Sequence, residues 1–332
     1  MLRTTVKLLL AAALLAASAT AGLWWWSGQP LALRQAPLDV EIAPGTPAKG
    51  VAQALVSAGV ETPAALLYAW FRLSGLAAQL RAGNYEFEAG VTPRALTRML
   101  ARGEESLLSL TLVEGQTMRQ WRALLAATGG LKHDSAGLDD ARLMAQLGRP
   151  GVHPEGRFFP DTYSFAKHSS ELALLRRALA AMDKQLEAAW QARQGDLPIA
   201  SPEQLLILAS IVEKETGQAT DRPHIAAVFY NRLRARMPLQ TDPTVIYGMG
   251  ERFDGNLRKR DLQADTPWNT YTRAGLPPTP IAMPGRAALR AAAQPSDSKA
   301  LYFVARGDGS SAFSDSLTEH NRAVNRYQRG RP

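Results

Sequence analysis

The chain contains no cysteine among its 332 residues. That absence excludes disulfides, thiolate nucleophiles, cysteine-ligated metals and a lipoprotein-type acylated cysteine. It permits work in an oxidising compartment without mispairing, though it locates nothing by itself. Histidine is also scarce: there are five, with no i, i+4 metal spacing and no His-Glu-x-x-His. A Gly-x-Ser-x-Gly elbow and a glycine-rich phosphate loop are both missing. The formal net charge is +8, yet no dense Lys/Arg run accompanies it. Such a balance fits anionic lipid or an acidic polymer better than nucleic acid, and no nucleic-acid partner is expected. Hydrophobic residues at 46% against 20% charged describe a chain able to bury a packed core.

What is present begins at the N-terminus. Leu8 to Trp26 is nineteen residues without a charge, roughly 28 Å at helical rise and close to a bilayer's hydrocarbon thickness. Arg3 and Lys7 precede it and Trp24, Trp25 and Trp26 end it, which predicts a cytoplasmic tip and an outer aromatic anchor. The small-residue triplets Ala17-Ser18-Ala19 and Ala19-Thr20-Ala21 offer the alternative of a cleaved signal peptide. The apolar run continues past both, so an uncleaved anchor over 1–27 is the expectation, with the body exported in either case. Residues 28–40, carrying Pro30 and Pro37, read as a linker.

Three phrases then resemble one another loosely. Each offers a short strand, a glycine turn, a threonine N-cap and an amphipathic helix: Glu41 to Pro47 with Val51 and Leu55, Glu86 to Pro93 with Leu96 and Leu100, and Thr111 to Thr117 with Trp121 and Leu125. Chance recurrence in an α+β protein would look the same. Leu172, Leu175, Leu179, Met182, Leu186 and Trp190 predict a long helix over about 170–195, ended by Gly195.

The most informative segment is Ser201 to Gly217. Ser201 reads as N-cap, Pro202 as first helical residue, Gln204 as the partner in a capping box and Gly217 as the stop. Leu205 to Val212 is apolar on every face but Ser210, the mark of a buried helix. Glu213, Lys214 and Glu215 follow where that helix surfaces. Glu215 continues the stripe of Leu208, Ile211 and Val212, whereas Glu213 continues that of Leu206 and Ala209, so the two carboxylates point apart. Partial burial and the negative helix end would raise their pKa, as a general acid for glycosidic cleavage requires, with Lys214 opposing. Periodicity alone leaves an ordinary solvated Glu-Lys-Glu helix end as the favoured reading.

Asp221-Arg222-Pro223 begins another helix, apolar at Ile225, Val228, Phe229 and Leu233 and polar at Asn231, Arg232 and Arg234. Gln240, Thr241 and Asp242 gather in one turn, with Asp242 capping a short helix from Pro243. Asp265 to Thr272 mixes polar groups with Trp268 and Tyr271, a combination that binds sugar faces and hydroxyls. Gly275 to Ile281 reads as a stiff groove wall, Leu301 to Ala305 as a buried strand and Leu317 to Tyr327 as a closing helix.

Taken in order, Ala209-Ser-Ile-Val-Glu-Lys-Glu-Thr216, Val228-Phe-Tyr-Asn-Arg-Leu233, Leu239-Gln-Thr-Asp-Pro-Thr-Val-Ile-Tyr247, Asn269-Thr-Tyr271 and Gly275-Leu-Pro-Pro278 resemble the MltG (YceG-like) endolytic murein transglycosylases. Glu155-Gly156, Phe159 to Tyr163, Leu301 to Val304, Phe313 and His320-Asn321 fit the same family, while Thr279 stands where it often has glycine. The resemblance implies an α+β protein: a transmembrane helix, a small LysM-like βααβ domain over 41–110 and a mixed α+β catalytic domain over 111–332. It implies a lyase at the inner membrane, facing the periplasm, that cuts the MurNAc–GlcNAc bond of nascent glycan strands and leaves a 1,6-anhydro end. The family's catalytic glutamate maps to Glu215. Gln240, Asp242, Tyr247, Asn269 and Tyr271 are candidates for positioning substrate, with Glu213 as a supporting partner. No cofactor or metal is expected. Partners are glycan strands, the membrane and peptidoglycan synthases. The alternatives are a glycan-binding scaffold without activity and a hydrolytic muramidase.

Overall fold

A computed structural model describes residues 2–330. Leu2–Trp26 form helix α1. Its stretch Thr4–Trp26 is long and apolar enough to cross a membrane and none of its apolar window is buried, which fits a single-pass anchor. The body is mixed α+β and forms two compact units, one holding residues up to Leu108 with Ser164–Ser169, the other Ser109–Tyr163 with Ser170 onward.

In the first unit the order is β1 (Leu38–Ile42), α2 (Ala48–Ala58), α3 (Ala64–Leu73), β2 (Gly83–Phe87) and α4 (Pro93–Arg102). β1 and β2 pair antiparallel, Leu38 opposite Phe87 and Val40 opposite Tyr85. Leu38, Val40 and Ile42 alternate inward along β1, as a strand with one solvated face requires. They meet Leu55, Trp70, Phe71, Phe87, Leu96 and Leu100 in a closed core. Buried Trp70 must satisfy its indole N–H, and it donates to Thr97 Oγ1 at 3.0 Å.

The segment expected as a linker is packed instead. Leu31 is buried, its N–H donates to the Val91 carbonyl at 2.8 Å, and Leu33 bridges Val60. Its prolines exclude it from a helix but not from contact. The last turn of α1 is held as well. The Arg94 guanidinium lies 4.2 Å from the Trp24 ring centre and donates to the Trp24 carbonyl at 3.2 Å, placing a cation at the negative end of the helix.

The second unit runs through β3 (Leu107–Thr111, which enters from the first), α5 (Met118–Ala127), β4 (Leu131–Lys132), α6 (Asp140–Gln146), β5 (Thr162–Ala166), β6 (Ser169–Ser170), α7 (Glu171–Gln191), α8 (Pro202–Glu215), α9 (Arg222–Arg234), α10 (Asp242–Met249), α11 (Lys259–Gln263), α12 (Arg286–Ala293), β7 (Tyr302–Ala305), β8 (Ser311–Ser314) and α13 (Leu317–Tyr327). β3 pairs with β5 and β7 with β8. The three similar phrases become β1–α2, β2–α4 and β3–α5, but only the last two helices carry a threonine cap, from Thr92 and Thr117; Pro47 takes that place before α2.

α8 is the centre of this unit. Every residue from Leu205 to Val212 is buried, against α7, α9 and α12. Alanines at 288, 291, 292 and 293 let α12 come close. Ser210, the one polar member, is satisfied: its Oγ donates to the Ile207 carbonyl and accepts from the Ile281 N–H at 3.0 Å. The Gly275–Ile281 loop is thereby drawn inward, with Pro277, Pro280 and Ile281 buried. Three expectations shift. α7 stops at Gln191 rather than Gly195, β7 buries only Val304, and α13 has no fully buried residue.

Candidate active site

The geometry of the site follows from how α8 begins and ends. Ser201 Oγ accepts from the Gln204 N–H at 3.3 Å, as an N-cap should. Gln204 reaches back one residue further than a capping box requires, accepting from the Ala200 N–H at 2.6 Å. At the other end Thr216 is extended, with φ −150° and ψ 137°, so the helix stops before Gly217. The last turn then splays its three ionic side chains. Glu213 Oε2 accepts from the Gly285 N–H at 2.8 Å. Lys214 Nζ donates to the Gly115 carbonyl at 3.0 Å. Glu215 Oε1 accepts from the Thr241 hydroxyl. The two glutamates diverge as two steps of ~100° demand.

Thr241 is buried and tightly fixed. Its N–H donates to Thr270 Oγ1 at 3.1 Å, and its carbonyl accepts from the Thr244 hydroxyl at 2.7 Å. Thr244 has thereby used its proton, so in the 2.9 Å contact between Thr244 and Thr270 it is Thr270 that donates. Gln240, with φ 49°, takes the left-handed turn that brings Thr241 under Glu215, and its N–H donates to the Thr270 carbonyl. Asp242 Oδ1 accepts from the Tyr271 hydroxyl at 2.6 Å. N-cap of α10 is Thr241, not Asp242, and its hydroxyl serves Glu215 instead of the helix.

These surroundings push the Glu215 carboxyl up to about 7 from an ordinary 4.5. Burial is the largest cause and the Asp242 charge adds to it, while the Thr241 hydrogen bond and the Arg232 charge pull down. Glu215 as a residue is only half-buried, but its carboxylate end is enclosed by protein. Lys214 plays no part here. Its charge, like the Gly285 N–H, acts on Glu213, whose pKa is also raised by burial.

Of the residues picked out from the sequence, Glu215, Asp242 and Tyr271 come together, and Tyr271 is itself raised by burial and the Asp242 bond. Gln240 faces solvent, its Oε1 3.4 Å from Arg232 Nη1. Asn269 is fully buried, and its amide donates to the carbonyls of Leu262 and Ala264 at 3.0 and 2.7 Å. Its carbonyl oxygen accepts from the Tyr271 N–H at 2.9 Å, so the side chain ties together the loop carrying Thr270 and Tyr271. Tyr247 lies edge-on to Trp268, with ring centres 5.4 Å apart.

Arg232 is a correction to the sequence reading. It is buried, not on a polar face, and donates to the carbonyls of Leu301 at 2.7 Å and Leu239 at 2.9 Å. A signal existed: 225, 229 and 232 share one helical face. Glu155 enters the sequence reading only within a family motif and not as a site residue. It is buried, accepts from the Met118 N–H at the start of α5 with both oxygens, at 3.0 and 3.2 Å, and is pushed up to about 7 by burial.

A cavity of about 860 Å³ is lined by Lys214 and Pro243, the chain neighbours of Glu215 and Asp242, and extends to Glu155, Tyr247, Phe253 and Trp268. Glu215 itself is outside its lining.

A family model described as the YceG-like family matches residues 40–326, so it spans both units and every residue of this site. The chain belongs to the YceG-like family. Among relatives, an endolytic murein transglycosylase of Bacillus subtilis (strain 168) is 35% identical over 268 residues, 76% of this YceG-like chain and 74% of the relative. The endolytic murein transglycosylase of Streptococcus pneumoniae (serotype 2, strain D39) is 30% identical over 281 residues, 74% of this chain and 50% of the relative, so the match spans half of that longer protein. The crystal structure of a yceG-like protein, lmo1499, from Listeria monocytogenes aligns with a TM-score of 0.57 at 30% identity, covering 86% of this chain and 98% of that one.

Proposed function

We propose that this protein is an endolytic lytic transglycosylase of peptidoglycan, a lyase in which Glu215 is the single acid and base. The observation that carries the proposal is the state of that carboxyl. A group that gives up a proton in one half-reaction and takes one in the next works best with a pKa near ambient pH, and Glu215 is held at about 7. In the first half Glu215 protonates the oxygen leaving C1 of MurNAc, and the MurNAc–GlcNAc bond breaks. In the second the C6 hydroxyl attacks C1, and its proton passes to Glu215. One C–O bond is broken and one formed, no water is consumed, and the glutamate is restored. A second carboxylate to activate water, which an inverting hydrolase needs, has no task here. The Asp242 charge, oriented by Tyr271, favours the positive charge that develops at C1. Thr241 keeps the Glu215 carboxyl aimed. Glu213, Gln240 and Asn269 support the loops, and Tyr247 contributes through the cavity.

The order β1-α2-α3-β2, with β1 and β2 paired antiparallel, supports reading 41–110 as a LysM-like glycan-binding module and 111–332 as the catalytic part. With α1 in the inner membrane the body would stand in the periplasm, beside peptidoglycan synthases, where internal cuts set the length of new strands. The test is to digest purified glycan strands with wild type and with Glu215→Gln and to analyse the ends by mass spectrometry. Anhydro ends made by the wild type and lost in the variant are expected. Reducing ends would make the enzyme a hydrolase, and intact strands would make it a scaffold.

A further inference from the structure

The 860 Å³ cavity has a size typical of ligand sites, and its walls have a definite chemistry. One wall is the face of α10 that carries Pro243, Ile246 and Tyr247. That helix starts at Asp242, beside the Glu215 carboxyl, and runs on for eight residues, about 12 Å. The cavity thus lies along a helix whose first residue, Asp242, acts on the Glu215 carboxyl. Tyr247 and Trp268 are braced against the α8 core, and Trp268 is fixed further by its N–H on Thr279 Oγ1 at 2.9 Å. Phe253 is a third ring on the lining and takes no part in that core. Aromatic faces with a few directed polar groups are what pyranose rings require, one apolar face and a rim of hydroxyls.

We propose that this cavity is a saccharide subsite that holds glycan rings on one side of the bond cut at Glu215, with Phe253 as a stacking surface. The proposal rests on the transglycosylase reading and explains how cleavage within a strand is favoured. Rings bound remotely from the scissile bond contribute binding energy that is lost when the strand end on the cavity side is placed at Glu215. Glu155 acts here as a positioning residue: anchored on the Met118 N–H and bonded to the Tyr247 hydroxyl, it fixes the ring that lines the cavity floor.

The test uses the full-length protein and glycan strands of graded length, both peptide-free and peptide-bearing. In the Glu215→Gln background, Phe253→Ala is expected to weaken binding of long strands about tenfold, the order of one lost stacking contact. In the active background the loss falls on KM more than on kcat, the preference for long over short strands collapses, and Phe253→Trp restores it. Unchanged binding by Phe253→Ala, with cleavage intact, overturns the subsite and leaves the transglycosylase reading standing. A loss confined to peptide-bearing strands also overturns it, because the occupant is then the stem peptide. Wild type that neither binds nor cuts any strand removes both.

Discussion

Glu215→Gln is expected to destroy cleavage and, at alkaline pH, to stabilise the protein. The reason lies in what folding asks of that carboxyl. Raising it from 4.5 to about 7 disfavours the ionised form in the folded state by ~3 kcal/mol relative to the unfolded chain. Between those values the folded state holds a proton that the unfolded state has released, so stability falls as pH rises from about 4.5 through 7 and is lower by the full amount above 7. Glutamine has no charge to desolvate and keeps an acceptor for the Thr241 hydroxyl, so the variant escapes the penalty. Glu155 imposes a similar cost, but on both proteins, and it cancels in the difference. Thermal unfolding measured across pH reads the effect. Below about pH 4.5 the two proteins should melt together. At pH 8 the variant should melt roughly 6–12 °C higher, taking ~3 kcal/mol with the sensitivity of a domain of this size. A gap that does not change with pH, or a variant less stable at pH 8, would refute the argument that Glu215 is held protonated against its ordinary tendency.

Two further outcomes follow from the same geometry. The pH profile of kcat/KM should fall as pH rises through about 7, because the proton donor is lost; Asp242→Asn removes a charge that raises Glu215 and should move that limb to lower pH, and an unmoved limb would take Asp242 out of the site's electrostatics. Arg232→Lys keeps the positive charge but cannot span the carbonyls of Leu301 and Leu239, so urea denaturation should show a loss of about 2–3 kcal/mol with the pH limb nearly in place; full stability would mean that the fork of hydrogen bonds is dispensable.

How much of this was legible in the sequence depends on whether the cause is local. α8 was readable because burial on all sides is written in composition, eight residues with one serine among them. The divergence of Glu213 and Glu215 was readable for the same reason, being a property of helical pitch. The start of α8 at Ser201 and Pro202 is legible for a similar reason, but its stop is not: Thr216 ends the helix by turning extended, before Gly217. The packed segment after α1 was misread because prolines mark what a backbone cannot do and say nothing of what Leu31 and Leu33 touch. The burial of Arg232 is not legible because its partners are backbone carbonyls, and a carbonyl has no signature in the sequence. Leu301 lies sixty-nine positions from Arg232.

The pKa of Glu215 is the sharpest case. From the sequence the nearest charge is Lys214, and it argues for an ordinary, ionised carboxylate. In the structure the adjacent residue is the wrong one to weigh. Consecutive helical positions point ~100° apart, so Lys214 reaches Gly115 and acts on Glu213, while Glu215 answers to Thr241, Asp242 and Arg232, drawn from two other helices and the turn between them. Two of these lower its pKa and one raises it, against the dominant effect of burial. Neutral-pH acidity at this position is therefore a property of the burial of the carboxyl against the loop that holds Thr241, whose own hydrogen bond opposes it. A change that loosens the loop, even without touching a charge, should return Glu215 toward an ordinary carboxylate and with it the loss of its role as acid.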